Sequence, residues 1–163
     1  YGADSPKLVI AGPPSSSFTR KPSSYFNAVM KLIHELDLED SVRYMGLVER
    51  DFLERLFVAA DVLVLPSISE AQGLVVLEAM AAGLPVVASA TGGIPDMVHH
   101  EETGLLVPPG EPLALADAIR RVLTDSALAR ELSENGLKAA RNEYSWLTVA
   151  RNVVEFYKSL QPA

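Results

Sequence analysis

The sequence predicts an α/β fold, a doubly wound parallel sheet whose strands alternate with helices. Short apolar runs without polar alternation recur along the chain, a pattern typical of parallel strands that are covered on both faces. Between these runs, longer segments place their apolar residues at helical spacing. Ligands of such sheets bind beyond the carboxyl ends of the strands, so the residues that follow each strand are the candidates for function.

The first part of the chain contains two predicted strands and two predicted helices. They are a strand over 7–12 that ends at Gly12, a helix over about 25–36 with Ser23 and Ser24 as candidate caps, a strand over 41–45 and a helix over about 51–60. The Pro/Ser-rich loop over 13–24 carries Arg20 and Lys21, which could reach a phosphate, although a solvated basic pair is the alternative interpretation.

The rest of the chain continues the same alternation. Its predicted elements are a strand over 62–65, a helix over 74–82, a strand that begins at Pro85, a glycine turn over 91–98, a short strand and turn over 104–110, two helices from Pro112 to about 140, and a final helix over about 145–160 capped by Ser145.

Length and composition indicate one globular domain over residues 1–163, with 48% hydrophobic and 21% charged residues. The formal net charge of −7 argues against a nucleic-acid partner, whose binding depends on Lys and Arg. The lack of cysteine excludes disulfides and thiolate metal sites and fits a reducing compartment. No apolar run approaches the ~20 residues of a transmembrane helix, so we expect a soluble, cytoplasmic chain.

The predicted helix over 74–82 is apolar on every side except at Glu78, a pattern typical of a helix buried in the protein. An ionised carboxylate there is costly unless it is hydrogen-bonded or paired, so Glu78 has a protein partner, lies at a cleft or is protonated. Gly73 opens the same helix and lets a ligand approach the free backbone N–H groups, where the helix dipole favours an anion.

The spacing between Gly73 and Glu78 fits a nucleotide. A helix rises ~1.5 Å per residue, which places Glu78 roughly 7 Å along the helix from the predicted anion site. The diphosphate and the ribose hydroxyls of one nucleotide are separated by a similar distance, and a carboxylate accepts hydrogen bonds from two hydroxyls. Glu70, on the loop before the helix, could then reach a group beyond the phosphates.

The segment over 66–88 carries Glu70 and Glu78 in an E-x7-E spacing within the string PSISEAQGLVVLEAMAAGLPVVA. This string closely resembles the signature of glycosyltransferase family 4, whose members are retaining enzymes of the GT-B fold. The resemblance extends from about residue 7 to 160 and implies a Rossmann-like GT-B half-domain that lacks the first strand and helix of the usual domain. Gln72 departs from the family, which usually has an aromatic residue before the glycine.

The resemblance also implies roles for the residues around this helix. Glu70 would be the catalytic residue that contacts the donor sugar near the reacting carbon, and Glu78 would hold the ribose. Gly73, Leu74 and Val75 would offer backbone N–H groups to the diphosphate. Leaving-group stabilisation, without a metal ion, would assist a transfer that retains configuration. The structural alternative is a surface Glu70 and a Glu78 that is salt-bridged within the fold.

Further donor contacts implied by the resemblance lie elsewhere in the chain. Gly12 would lie near the donor phosphates and Val48 near the base, whereas a tight turn and ordinary packing are the alternative interpretations. The turn over 91–98 resembles the family's glycine-rich loop that lines the cleft, although a simple tight turn explains it equally well. His99 and His100, beside two acids, lack a convincing metal-site spacing and indicate a solvated turn.

The implied function is the donor-binding part of a retaining glycosyltransferase that transfers a sugar from a UDP-, GDP- or ADP-sugar to an acceptor, without a cofactor. The acceptor-binding amino-terminal domain, and the family's Arg and Lys ligands of the diphosphate, would be missing, so the isolated chain should be inactive. The final helix, about 145–160, would pack back across the domain. A nucleotide-sugar epimerase of GT-B fold and a non-catalytic interaction domain are the alternatives, and membrane attachment through the missing domain stays open.

Overall fold

A computed structural model of the protein describes residues 6–13 and 23–160. The chain divides into two compact units, Tyr1–Leu53 and Glu54–Ala163. Each unit is built from a parallel sheet and helices, which confirms the predicted α/β class.

The first unit contains two strands, a helix between them and the start of a second helix. The bounds are Leu8–Ala11 for β1, Ser24–Glu35 for α1, Val42–Gly46 for β2 and Arg50–Ala59 for α2, which continues into the second unit. Ser23, one of the two predicted caps, accepts the N–H of Phe26 at 3.0 Å. β1 and β2 are parallel, and their carboxyl ends meet where the N–H of Gly12 donates to the carbonyl of Gly46 at 2.8 Å.

The second unit places three parallel strands in the order β3-β4-β5. The bounds are Leu63–Leu65 for β3, Leu74–Ala81 for α3, Val86–Ser89 for β4, Leu105–Val107 for β5, Pro112–Thr124 for α4, Ser126–Asn142 for α5 and Trp146–Ser159 for α6, with a 3₁₀ turn at Ile94–Asp96. Because the three strands run in the same direction, the segments that follow them leave the sheet at one edge.

In the second unit, core residues of the sheet pack against α4 and α5. The helix α3 packs against α5. β4 is buried along its whole length. The core cluster consists of Val87, Leu105, Val107, Ala118, Val122 and Leu132. At Gly136, on α5, a Cβ would lie 3.2 Å from the carbonyl oxygen of Thr103 and 3.4 Å from Cγ of Met80 on α3. The missing side chain lets the last turn of α3 approach α5 closely.

β1 and β3 are less buried than the sequence predicts. Leu8 and Val9 are 50% and 45% exposed, and every residue of β3 is half-buried. Within the described residues β1 pairs with β2 alone and β3 with β4 alone, so each strand has one neighbour. The apolar pattern identifies the strands correctly, but it cannot show that they lie at an edge.

α6 exposes the apolar residues that the sequence placed along one face. Ser145 caps the helix as predicted, since its hydroxyl accepts the N–H of Thr148 at 3.2 Å. No residue of α6 is buried, and Trp146 is 89% exposed. The packing of the final helix across the domain, and the extent of that domain, stay predictions.

Asp125 caps α5 and provides a test of this local structure. Its Oδ1 accepts the N–H groups of Ala127 and Leu128, each at 3.0 Å. We expect Asp125→Ala to lower the free energy of unfolding by about 1 kcal/mol, and Asp125→Asn, which keeps an acceptor, to cost less. Urea unfolding followed by circular dichroism measures both variants. Equal losses for Ala and Asn would show that the two hydrogen bonds do not stabilise the helix.

Glu101 predicts a small dependence of stability on acid pH. A hydrogen bond from the Arg121 guanidinium, 2.7 Å from Oε1, lowers the pKa of Glu101 below its usual 4.5. A lowered folded-state pKa stabilises the protein above the unfolded value, and the contribution is lost as the pH falls through the folded value. Glu101→Gln should therefore lower the urea midpoint slightly at pH 7 and by less at about pH 3. A loss of the same size at both pH values, or an equal loss in Glu102→Gln, would contradict this assignment.

Candidate functional site

Glu70 lies on the loop between β3 and α3, with its carboxylate held by its own loop. Its Oε1 accepts the N–H of Ala71 at 3.1 Å, and its Oε2 accepts the hydroxyl of Ser67 at 3.4 Å. The residue is half-buried, so one side of the carboxylate remains accessible. Because β3 ends at Leu65, the loop begins at the carboxyl end of a parallel strand, where the sequence predicted it.

The amino terminus of α3 presents free backbone donors. Gly73 has φ +73°, a left-handed conformation that favours glycine, and it is buried. A Cβ at this position would lie 3.0 Å from Cγ1 of Ile94 and 3.4 Å from Cγ of Glu70. Among the described residues, neither the N–H of Leu74 nor that of Val75 has an acceptor, and no side chain caps the helix. These two donors can bind an anion.

Glu78, the one polar residue of the helix that the sequence predicted as buried, is exposed, and the exposure of Leu74 beside it shows that this helix is not buried all round. α3 buries Val76, Ala79 and Met80, and it turns Glu78 outward together with Leu74, which is 57% exposed. Because apolar residues surround this short helix, the sequence did not show which of its sides packs against α5. In the part of the chain that the structure describes, the Glu78 carboxylate has neither a salt bridge nor a hydrogen bond, so the salt-bridged alternative fails.

Glu78 lies on the exposed face of α3, and the two free donors lie at the amino end of the same helix. Residues four apart lie one turn apart on the same face, so Glu78 follows Leu74 along that face. Glu70 lies beside the amino end of the helix, since its Cγ is 3.4 Å from the position of a Cβ on Gly73. The arrangement can hold an anion at the helix terminus, with one carboxylate on the preceding loop and another one turn further on.

Gly12 and Val48 belong to the first unit, at the carboxyl ends of its two strands. The carbonyl of Gly12 accepts the hydroxyl of Tyr44 at 2.6 Å, and a Cβ on Gly12 would meet no atom of the described residues within 4 Å. Val48 is half-buried, two residues beyond the end of β2 at Gly46. Their placement at strand ends agrees with the sequence, while their roles as donor contacts stay predictions.

Sequence reasoning missed the side chains that hold the loop of Glu70. Ser67 was part of the recognised string but received no role, and its position three residues before Glu70 was the available signal. Thr91 and Gly92 were assigned to a cleft-lining turn, yet both lie against the backbone of the 68–72 loop. Nothing in the spacing of these segments indicates that contact.

A cavity of about 230 Å³ lies at the carboxyl ends of the strands in the second unit. Its walls come from the segments that follow β3, β4 and β5. They consist of Pro66, Ser89, Val107, Pro108, Gly110, Glu111, Pro112 and Leu115. None of the predicted site residues lines this cavity, so the candidate site is the surface at the α3 amino terminus instead.

Several other predictions concern sites away from α3. Arg20 and Lys21 lie outside the described residues. Within residues 6–13 and 23–160, no group of three or more His, Cys, Asp or Glu side chains is placed to hold a metal ion. His100 instead accepts the N–H of Leu106 on Nδ1 at 3.0 Å. No helix in the same ranges has the length and apolar character of a membrane span, and the cytoplasmic location stays a prediction.

Comparison with known proteins agrees with the architecture. Residues 3–139 match the family model of the glycosyl transferases group 1. An uncharacterized glycosyltransferase of Methanocaldococcus jannaschii is 39% identical over 152 residues, which are 93% of this chain and 37% of that protein. The chain therefore spans well under half of this relative's length.

Two solved structures share the fold. Sucrose-phosphate synthase of Thermosynechococcus elongatus aligns with a TM-score of 0.82 and 39% identity over 94% of this chain and 38% of its own. Anabaena HepE, solved in complex with UDP-glucose, aligns with a TM-score of 0.82 and 28% identity over 94% of this chain and 41% of its own. With its parallel α/β architecture and its family match over residues 3–139, this chain belongs to the glycosyl transferases group 1.

Proposed function

We propose that this chain binds the nucleotide-sugar donor of a retaining glycosyltransferase of family 4. One observation carries the proposal: among the described residues the exposed carboxylate of Glu78 has no partner, and it lies one turn along α3 from two backbone N–H groups that have no acceptor there. A nucleoside diphosphate carries an anionic diphosphate and ribose hydroxyls at a similar spacing, so it fits these two features of the helix. HepE, whose fold is similar, has been solved with UDP-glucose, which supports a UDP-, GDP- or ADP-sugar as the donor here.

In this proposal each predicted residue has one task. The N–H groups of Leu74 and Val75 bind the diphosphate, and Gly73 adopts the left-handed conformation that begins the helix beside Glu70. Glu78 accepts hydrogen bonds from the ribose hydroxyls. Glu70, on the loop before the helix, contacts the donor sugar near the carbon that reacts.

On the family resemblance alone, Gly12 is assigned to the donor phosphates and Val48 to the base. The net charge of −7 makes the chain a poor source of cations for the diphosphate. Backbone donors and the helix dipole therefore neutralise part of its charge, and basic side chains from outside this chain neutralise the rest. No metal ion is needed for this scheme.

The rest of the transferase supplies the acceptor site. This chain spans 37% of its Methanocaldococcus relative, which leaves room for an amino-terminal domain in the whole protein. The exposed apolar side chains of α6, and the edge of β1 that pairs with no strand among the described residues, are surfaces on which the remaining polypeptide can pack. The isolated chain should then show little or no sugar transfer, because the acceptor and the phosphate charge both lack their partners. A rate near that of the whole transferase would refute this.

Two measurements test the proposed activity. Calorimetric titration of the whole transferase with UDP, GDP and ADP should show saturable binding of one nucleotide, and no binding of any of them would overturn the donor role. Proton NMR of the fresh product then reports its anomeric configuration. The proposal expects the configuration of the donor to be retained, and an inverted product would exclude the retaining mechanism.

A further inference from the structure

The turn that follows β4 contacts the loop of Glu70 at three consecutive residues. The hydroxyl of Thr91 donates to the carbonyl of Ile68 at 3.2 Å. The backbone of Gly92 lies against the carbonyl of Glu70 itself. The N–H of Gly93 donates to the carbonyl of Ala71 at 3.2 Å. We name Thr91, Gly92 and Gly93 the glycine clamp.

The approach of Gly92 to Glu70 leaves no space for a side chain. A Cβ on Gly92 would lie 1.6 Å from the carbonyl oxygen of Glu70 and 2.7 Å from its carbonyl carbon. These are backbone atoms, which cannot rotate away as the end of a flexible side chain can. Gly92 also has φ +56°, a conformation that favours glycine. Any larger residue at position 92 therefore displaces the loop that carries Glu70.

The glycine clamp is itself held firmly by the residues after it. Ile94, the next residue, is completely buried. The hydroxyl of Tyr144 donates to the carbonyl of Asp96 at 2.8 Å, and burial raises the pKa of that tyrosine, so it remains a donor at neutral pH. The same Ile94 lies beside Gly73 at the start of α3. The turn thus gives the Glu70 loop a rigid support.

We propose that Thr91, Gly92 and Gly93 are positioning residues that set the place of Glu70 relative to the donor sugar. The inference rests on the proposed function, in which Glu70 contacts that sugar. It differs from the cleft-lining role that the family resemblance implies, because it assigns these three residues to the support of the loop that carries Glu70. Removing the clamp should reduce the chemical step and leave nucleotide binding nearly unchanged, since Leu74, Val75 and Glu78 keep their places.

The principal test is Gly92→Ala in the whole transferase. A displacement of about 1 Å at a reacting group costs about 100-fold in rate, so we expect kcat to fall by about that factor and the Kd of the nucleotide to change by less than about threefold. Gly83→Ala is the matched control. Gly83 has φ +75° in the same unit, yet its Cβ would meet its nearest atom, Oγ of Ser133, at an ordinary 3.6 Å. A comparable loss of kcat in Gly83→Ala would attribute the effect to backbone strain and overturn the proposal.

A double-mutant cycle separates positioning from a general structural defect. If Gly92 acts through Glu70, the Gly92→Ala change should lower kcat about 100-fold in the wild type and less than about threefold in a Glu70→Gln background. Equal losses in both backgrounds would overturn the positioning role. A Glu70→Gln variant with normal kcat would instead refute the proposed function of Glu70, which distinguishes the two failures.

Thr91→Val provides a milder variant in case Gly92→Ala does not fold. It removes the hydroxyl that donates to Ile68 and keeps the shape of the side chain. We expect kcat to fall by about 3- to 10-fold with an unchanged nucleotide Kd, and Thr91→Ser, which restores the hydroxyl, to recover most of the rate. Wild-type kcat in Thr91→Val, or an equal loss in Thr91→Ser, would contradict the clamp.

Discussion

Glu70→Gln in the whole transferase is expected to lower kcat by about 100- to 1,000-fold, the usual cost of removing one electrostatic contact made at the reacting centre. The amide is nearly isosteric with the carboxylate: its oxygen can accept the N–H of Ala71, and its NH2 group can donate to the hydroxyl oxygen of Ser67. The loop should therefore stay in place while the negative charge disappears. Because Leu74, Val75 and Glu78 are untouched, the Kd of the donor should change by less than about threefold.

Steady-state kinetics measures kcat, and calorimetry on the same preparations measures the Kd of the donor. Glu111→Gln is the matched control, because Glu111 lies at the same edge of the second sheet and its side chain does not cap α4. That variant should transfer sugar at the wild-type rate. A Glu70→Gln enzyme with unchanged kcat, or one that loses donor affinity in proportion to its rate, would show that Glu70 does not act on the reacting sugar.

Glu78→Gln is expected to weaken donor binding by about 10- to 30-fold while kcat at saturating donor stays nearly constant. A hydrogen bond to a charged group contributes about 1.5–3 kcal/mol, and the lower part of that range applies to a carboxylate as exposed as Glu78. The fold should be unaffected, since Glu78 makes no hydrogen bond or salt bridge among the described residues.

Glu134→Gln is the control for this variant, because Glu134 is also an exposed helical glutamate in the second unit, on α5. Calorimetry then compares the nucleotide with the matching nucleoside, which carries the ribose hydroxyls but no phosphate. The loss should appear with both ligands, since both carry the ribose hydroxyls. A loss confined to the nucleotide would place Glu78 near the phosphates, and no loss with either would remove it from the site.

The local arrangement of the candidate site residues on α3 and its preceding loop could be predicted from the sequence, because these residues lie in one continuous segment. Glu70, Gly73 and Glu78 are separated by a loop and less than two helical turns, so local geometry nearly determines their arrangement. Helix caps such as Ser23 and Ser145 were equally predictable, since a cap acts on residues within three positions of it.

Features that depend on distant segments could not be predicted in the same way. The exposure of Glu78 follows from the packing of α3 against α5, a helix that begins at Ser126. The glycine clamp depends on a contact between residues 91–93 and 68–71. A pair of glycines after a strand also occurs in ordinary turns, so the sequence did not indicate this contact. The half-exposed β1 similarly depends on which neighbours a strand has, which periodicity does not reveal.

The most direct test is to follow the amide signals of Leu74 and Val75 in the whole transferase, labelled with ¹⁵N on leucine and valine, as the nucleotide identified by calorimetry is added. If the α3 amino terminus binds the diphosphate, these two signals shift strongly and saturate at the calorimetric Kd, and Glu78→Gln moves that midpoint to higher nucleotide concentration. Saturable nucleotide binding that leaves both amide signals unmoved would contradict the proposed donor site.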